Sequence, residues 1–242
     1  MANMAVQVVS FDNIVSFKPR KRNNKVAGKD SEVYAFKSKE EIASMIKVFD
    51  RHINEAVNDS QRKIAYRNKM LFVIGINVGV RASDLRTLKW SFFFDEHMNF
   101  KDSYKFIPIK TSKQRKFVKI NFNNAVKQMV ISYLSEYPID CLDSYLFTSR
   151  KGNEPITVDG LRKIVKEAAV EAGITQNIGS HSLRKTFGFW CWHEAADKNK
   201  ALVILQQIFN HSSTQTTARY IGILDGEIKD MFDSIDLGLD MI

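Results

Sequence analysis

Cysteine is nearly missing from this chain: Cys141 and Cys191 are the two present in 242 residues. They offer no disulfide framework and no thiolate metal cluster, and a reducing compartment suits them. Long apolar runs are missing too. The longest, Met70 to Val80, is interrupted by Gly75, Asn77 and Gly79 and falls far short of a bilayer span. No basic start precedes an apolar stretch in MANMAVQVVSFDN, so the N-terminus does not read as a secretory signal. Internal repeats and low-complexity tracts are also lacking. These absences exclude a disulfide-stapled secreted domain and a membrane-spanning helical protein, and they point to a soluble protein of the cytoplasm.

What is present is a globular composition, 44% hydrophobic and 26% charged, which a wholly disordered chain does not have. The length suffices for one large domain or two small ones, each with a core. Lys and Arg number 36 against 27 acids, a net charge of +9. Such an excess fits a polyanionic partner, either nucleic acid or an anionic membrane surface. Six of the basic residues fall in segment 18–29, KPRKRNNKVAGK, which holds no acid. Pro19 and Gly28 oppose regular structure there. Lys18, Arg20, Lys21, Arg22 and Lys25 either wrap a phosphate backbone as a flexible arm or form a solvated tail.

From about Ala35 the pattern becomes helical. Ser38, with Glu40 and Glu41 behind it, reads as a helix start, and Ile42, Met45, Ile46 and Phe49 follow at helical spacing. A second helix is predicted from Ser60 to about Val78 and a short third from Ala82 to Trp90. The period then changes. SFFFD (91–95), SYKFIPI (103–109) and KFVKI (116–120) predict a three-stranded antiparallel sheet whose last turn is the basic KTSKQR, Lys110 to Arg115. Helices are predicted again over 123–136, 157–172, 181–196, 200–209 and 214–223. The fold class is therefore mainly α with a small antiparallel sheet. Beyond it lies a tail, 226–242, in which Ile228, Met231, Phe232, Ile235 and Leu237 share a helical face.

Three clusters carry candidate chemistry. In VGVRASDL (78–85), Gly79 permits a sharp bend, Arg81 follows near a helix N-terminus, and Asp84 lies one turn on to hold the arginine. In HSLRKTF (181–187), preceded by Ser180 as a suitable N-cap, His181 and Arg184 share a helix face, where a ring and a guanidinium can meet one phosphate. In FNHSSTQTTARY (209–220), Asn210 suits the left-handed end of one helix, Ser213 or Thr214 caps the next, and Tyr220 sits at its far end. Taken singly, each has a commoner structural explanation: a surface ion pair, a bonded histidine, an amphipathic core tyrosine.

In this order the three boxes resemble the signature of the tyrosine recombinases, the phage integrase family, over roughly residues 36–225. The resemblance implies the DNA breaking-rejoining catalytic fold. It also implies a bacterial, phage or plasmid enzyme that cleaves and rejoins DNA through a 3′-phosphotyrosyl intermediate. Tyr220 would be the nucleophile, Arg81 and Arg184 the phosphate clamp, His181 and His211 the supporting histidines, and Asp84 a supporting acid. A lysine on the hairpin would be the general acid; Lys110 matches best, with Lys113 its neighbour. Lys113, Arg115 and Lys185 join the arm lysines and arginines as candidate DNA contacts. No metal and no cofactor is required by this chemistry.

Family members usually carry a separate N-terminal DNA-clamping domain. Here the division reads instead as a basic arm at 1–35, a catalytic domain at 36–225 and a tail at 226–242 that docks either on a neighbouring protomer or on its own domain. Partners would be double-stranded DNA and further copies of the chain, as a dimer or tetramer on DNA, with no membrane. Two alternatives stand beside this: a type IB topoisomerase-like relaxing enzyme, and a DNA-binding accessory protein that no longer cleaves.

Overall fold

The computed structural model describes residues 32–114, 117–149, 152–223 and 231–235. Within them the chain runs α1 (Lys39–Asn54), α2 (Asp59–Val78), α3 (Ala82–Leu85), β1 (Ser103–Phe106), β2 (Val118–Asn121), α4 (Asn124–Glu136), α5 (Val158–Glu171), α6 (Ser180–His193), α7 (Lys198–Phe209) and α8 (Thr214–Ile221). No described helix is long and apolar enough to cross a membrane.

The starts of α1 and α8 are capped as the sequence suggests. Ser38 and Glu41 form a capping box at α1, the Ser38 hydroxyl accepting from the Glu41 amide at 3.0 Å. The Asn123 side chain caps α4, Asp197 caps α7 and Ser213 caps α8. Helix α6 begins one residue earlier than expected. Ser180 is its first residue and Gly179 its cap, the Gly179 amide donating to the Ser182 hydroxyl at 3.0 Å.

The sheet differs from the expectation. Two strands pair, Ser103 opposite Asn121 through Phe106 opposite Val118, and 91–95 is not a third. A strand sends successive side chains to opposite faces, yet Phe93 and Phe94 are both buried. Trp90–Phe92 coils into a 3-10 turn instead, with Phe93 and Phe94 amides donating back to the Trp90 carbonyl. A single bridge, Phe94 to Phe100, joins this run to the residues ahead of β1 instead.

Two cores result. The larger gathers α1, α2, α4, α5 and the aromatic run, with Phe36, Phe49, Phe72, Phe93 and Phe147 fully enclosed. The smaller joins Leu205, Phe209, Ala218, Ile221 and Ile223 from α7, α8 and the residue beyond, with Phe187 and Tyr220 packed against it. Helix α6 serves both, Leu183 facing the first and Phe187 the second. Its Gly188 lets α7 and α8 close in, because a Cβ there would lie 2.5 Å from Ile221 and 2.8 Å from Phe209.

Candidate active site

Gly79 ends α2 in the left-handed conformation, φ 65°, and a Cβ on it would lie 2.2 Å from the Phe187 ring. Glycine thus satisfies both the turn and the contact with α6. Arg81 follows directly as the residue before α3, in extended backbone. Its neighbour in space is Arg184, one turn into α6.

Arg184 is buried and held by two carbonyls. Its Nη1 donates to the Gly79 carbonyl at 2.6 Å, its Nη2 to the Phe209 carbonyl at 3.1 Å, and its guanidinium lies 4.2 Å from the centre of the Phe209 ring. Gly79 and Phe209 close the ends of α2 and α7, where carbonyls lack helical partners and the helix dipole is negative. Burial, the largest influence, pulls the Arg184 guanidinium down to about 10; Tyr220 and Asp84 oppose this and Arg81 adds to it. Arg81 reaches the same Phe209 carbonyl from its own Nη2 at 3.4 Å.

The turn after α7 is made by Asn210 with φ 53°, as its side chain favours. His211 follows, its Nδ1 3.1 Å from the Thr217 hydroxyl. That hydroxyl donates to the Ser213 carbonyl, so the ring donates from Nδ1. Nε2 has no partner among the described residues. Thr217, fully buried, escaped the sequence reading as a functional residue, although the paired threonines at 216–217 marked the motif.

Tyr220 is half-buried near the end of α8. Its ring meets Phe209 edge-on at 5.5 Å and His211 at 5.1 Å, and its hydroxyl lies 3.3 Å from His181 Nδ1. Burial raises the phenol above its ordinary value, while Arg184 and Arg81 oppose the rise. His181 is held below 6.5, first by partial burial and then by Arg184, Lys185, Arg81 and Lys110. His211 is lowered likewise by burial, Arg184 and Arg81. At neutral pH both rings are uncharged, and His181 can accept the phenol proton.

Arg81, His181, Arg184, His211 and Tyr220 are therefore brought together. Lys110 is exposed, in the 3-10 turn Ile109–Gln114 beyond β1, within electrostatic reach of His181. Two expectations need correction. Asp84 was expected to hold Arg81, but its carboxylate accepts from the Ile109 amide at 2.8 Å and so anchors the residue next to Lys110. Its burial raises its pKa, opposed by that amide, Arg81 and Arg184. Lys185, expected at the DNA, is buried with its ammonium 2.6 Å from Glu32 and 5.5 Å from the Tyr220 ring centre. The Lys113 side chain, Arg115, and Lys18, Arg20, Lys21, Arg22 and Lys25 of the arm lie outside the described residues, as does most of the 226–242 tail. No group of three His, Cys, Asp or Glu side chains suited to a metal forms among the described residues.

A cavity of about 760 Å³ opens beside the two arginines, between β2 and the end of α7, walled in part by Phe106, Phe117, Phe187 and Gln207. Pre-set guanidinium donors, a neutral imidazole on a phenol and a nearby lysine form an arrangement that can bind a phosphodiester and displace one of its oxygens.

The sequence profile described as "Phage integrase family" matches residues 40–226. The probable integrase/recombinase YoeC of Bacillus subtilis is 33% identical over 172 residues, 70% of this chain and 86% of that protein. Tyrosine recombinase XerD of Oceanobacillus iheyensis is 28% identical over 179 residues, 71% of this chain and 55% of that protein. The chain thus spans about half the length of such Xer relatives. Among solved structures, the XerH site-specific recombinase bound to a palindromic difH substrate has a TM-score of 0.60 at 20% identity, covering 85% of this chain and 54% of its own. The XerA recombinase has a TM-score of 0.59 at 20% identity, covering 86% and 66%. Those two structures share the fold described above.

Proposed function

Because this chain belongs to the phage integrase family, we propose that it is a site-specific DNA recombinase, breaking and rejoining strands through a 3′-phosphotyrosyl link at Tyr220. Forming the anion of an ordinary phenol at pH 7 costs about 4 kcal/mol without help, and burial adds to that cost at Tyr220. His181 takes the proton as the Tyr220 oxygen attacks phosphorus. Negative charge grows on the non-bridging oxygens, where Arg81 and Arg184 stabilise it, with the neutral His211 ring packed beside the phenol. The 5′ oxygen leaves with a proton from Lys110. The new ester conserves the energy of the old, so an incoming 5′ hydroxyl reverses the steps and reseals a strand without ATP.

What supports this reading most is the 3.3 Å approach of the Tyr220 hydroxyl to His181 beside two guanidinium groups. The relatives are named recombinases, and the XerH structure holds a DNA substrate. On the same reading the partner is double-stranded DNA, met in the cytoplasm by a dimer or tetramer. Residues 36–225 act as the catalytic unit, the basic arm 1–35 adds phosphate contacts, and the 226–242 tail contacts a neighbour.

The deciding experiment offers a nicked suicide substrate carrying the crossover site of the mobile element that encodes the protein. The wild-type chain should become covalently attached to the DNA, and Tyr220→Phe should not. Attachment by both, or by neither, would sink the proposal.

A further inference from the structure

Residues 32–37, just ahead of α1, form a strap across the helices that carry the site. The Tyr34 amide donates to the Asn177 carbonyl at 2.8 Å, and the Phe36 amide to the Thr186 hydroxyl at 2.9 Å. Trp190 Nε1 donates back to the Phe36 carbonyl at 2.9 Å, and Lys185 pairs with Glu32 at 2.6 Å. All four contacts reach α6 or its approach, the helix of His181 and Arg184. The fifth does not. Lys37 extends its ammonium to the Gly222 carbonyl at 2.6 Å, which is the cap of α8 two residues after Tyr220.

Helix α8 has eight residues, so its last turn is about half its length, and Tyr220 stands in that turn. The turn is closed by the Gly222 amide on the Arg219 carbonyl and the Ile223 amide on the Ala218 carbonyl. A cation on the carbonyl just past them meets the negative end of the helix dipole and holds the turn shut. The Lys37 ammonium is itself confined, 5.6 Å from the ring centres of Tyr34 and Phe189. Its own amide is held at 2.9 Å by Glu41, the acid of the α1 capping box. The position of the ammonium is therefore fixed from α1, α6 and the strap together.

From this geometry we infer that Lys37 is a positioning residue for the nucleophile. By bonding the Gly222 carbonyl it keeps the last turn of α8 wound, and so keeps the Tyr220 hydroxyl at His181. The inference rests on the recombinase reading of Tyr220. Lys37 touches no substrate; its action passes through the backbone of α8. The strap thereby ties the Tyr220 helix to the His181–Arg184 helix.

The test uses the full chain with Lys37→Met, which keeps length and loses charge and donors, and Lys37→Arg, which keeps both. Three readouts are taken: hydrogen exchange of the Gly222 and Ile223 amides without DNA, affinity for DNA, and single-turnover cleavage of the suicide substrate. In Lys37→Met those two amides should exchange at least about tenfold faster, because their closing turn has lost its cap. Cleavage should fall at least about tenfold while the Kd for DNA stays within about twofold, as a loss of positioning rather than of binding requires. Lys37→Arg should restore both to within about threefold. Unchanged exchange, wild-type cleavage by Lys37→Met, or a Kd weakened in step with cleavage would each overturn the inference. Failure of the wild-type chain to form any adduct would instead overturn the recombinase reading, and the amide exchange would still report whether Lys37 holds α8.

Discussion

Arg81 and Arg184, 103 positions apart in the chain, place their Nη2 atoms on one acceptor, the carbonyl oxygen of Phe209, at 3.4 and 3.1 Å. Two cations are thus held together by the carbonyl end of α7 before any phosphate arrives. The arrangement spends little reorganisation on binding an anion, the condition under which fixed donors act most strongly.

Replacing Arg184 by lysine tests the fork. One ammonium cannot serve both the Gly79 and Phe209 carbonyls, which leaves a buried acceptor short. Arg184→Lys should lower stability by about 2 kcal/mol and single-turnover cleavage by about 100-fold. Arg81→Lys, at a less buried position, should cost under about 1 kcal/mol and still slow cleavage at least tenfold or so. Urea unfolding and adduct formation measure the two quantities, and equal stability losses would contradict the assignment.

The histidine shifts predict a pH dependence. His181 and His211 titrate below 6.5 in the folded chain, so between that lowered value and 6.5 the unfolded chain holds more protons than the folded one. Stability therefore rises with pH across this window, is complete above 6.5, and is lost as pH falls through it. Thermal unfolding at pH 5 and pH 7.5 should show a smaller drop in a His181→Gln, His211→Gln variant than in the wild type. Cleavage should fall along an acid limb centred below pH 6.5, and His181→Gln should lower the rate and erase that limb.

Asp84 should act through Lys110. Asp84→Ala frees the Ile109 amide and releases the turn, so the leaving-group step should slow by about 10- to 100-fold. A substrate whose scissile 5′ oxygen is replaced by sulfur needs no acid. It should therefore rescue Asp84→Ala and Lys110→Ala alike, and leave Arg184→Lys slow. Rescue of Lys110→Ala alone would separate Asp84 from that step.

Lys185 is assigned to the protein interior rather than to DNA. Lys185→Gln should destabilise the fold by no more than about 1 kcal/mol, since the ion pair it loses reaches an exposed carboxylate on Glu32. The slope of log affinity against log salt should stay unchanged, whereas a phosphate contact would reduce it by about 0.9.

How far the sequence is legible follows the range of each interaction. Ser38 with Glu41, Asn210 and Ser213 act on neighbours within four residues, and their roles are written locally. The five site residues could be picked out because order and spacing across three boxes survive as a pattern. The SFFFD run misled because its aromatic character suits a strand, while the chain there closes a 3-10 turn onto the Trp90 carbonyl and buries Phe93 and Phe94. Asp84 and Lys185 misled for a different reason. Their partners, Ile109 and Glu32, lie 25 and 153 positions away, and no local signal marks such a pairing. Lys37 lies 185 positions from Gly222 and is hidden in the same way.

The Tyr220 ring is also a wall of the smaller core, lying against Phe209 and His211. A nucleophile on a free rotamer would swing out alone, but this one cannot leave without uncovering apolar surface. Its reach is therefore a property of the α7–α8 pair: to meet a phosphate farther away, the two helices must travel as one body, pivoting where Gly188 lets them touch α6. Whatever grips that pair, whether another protein or the bent duplex itself, then governs when the strand is cut.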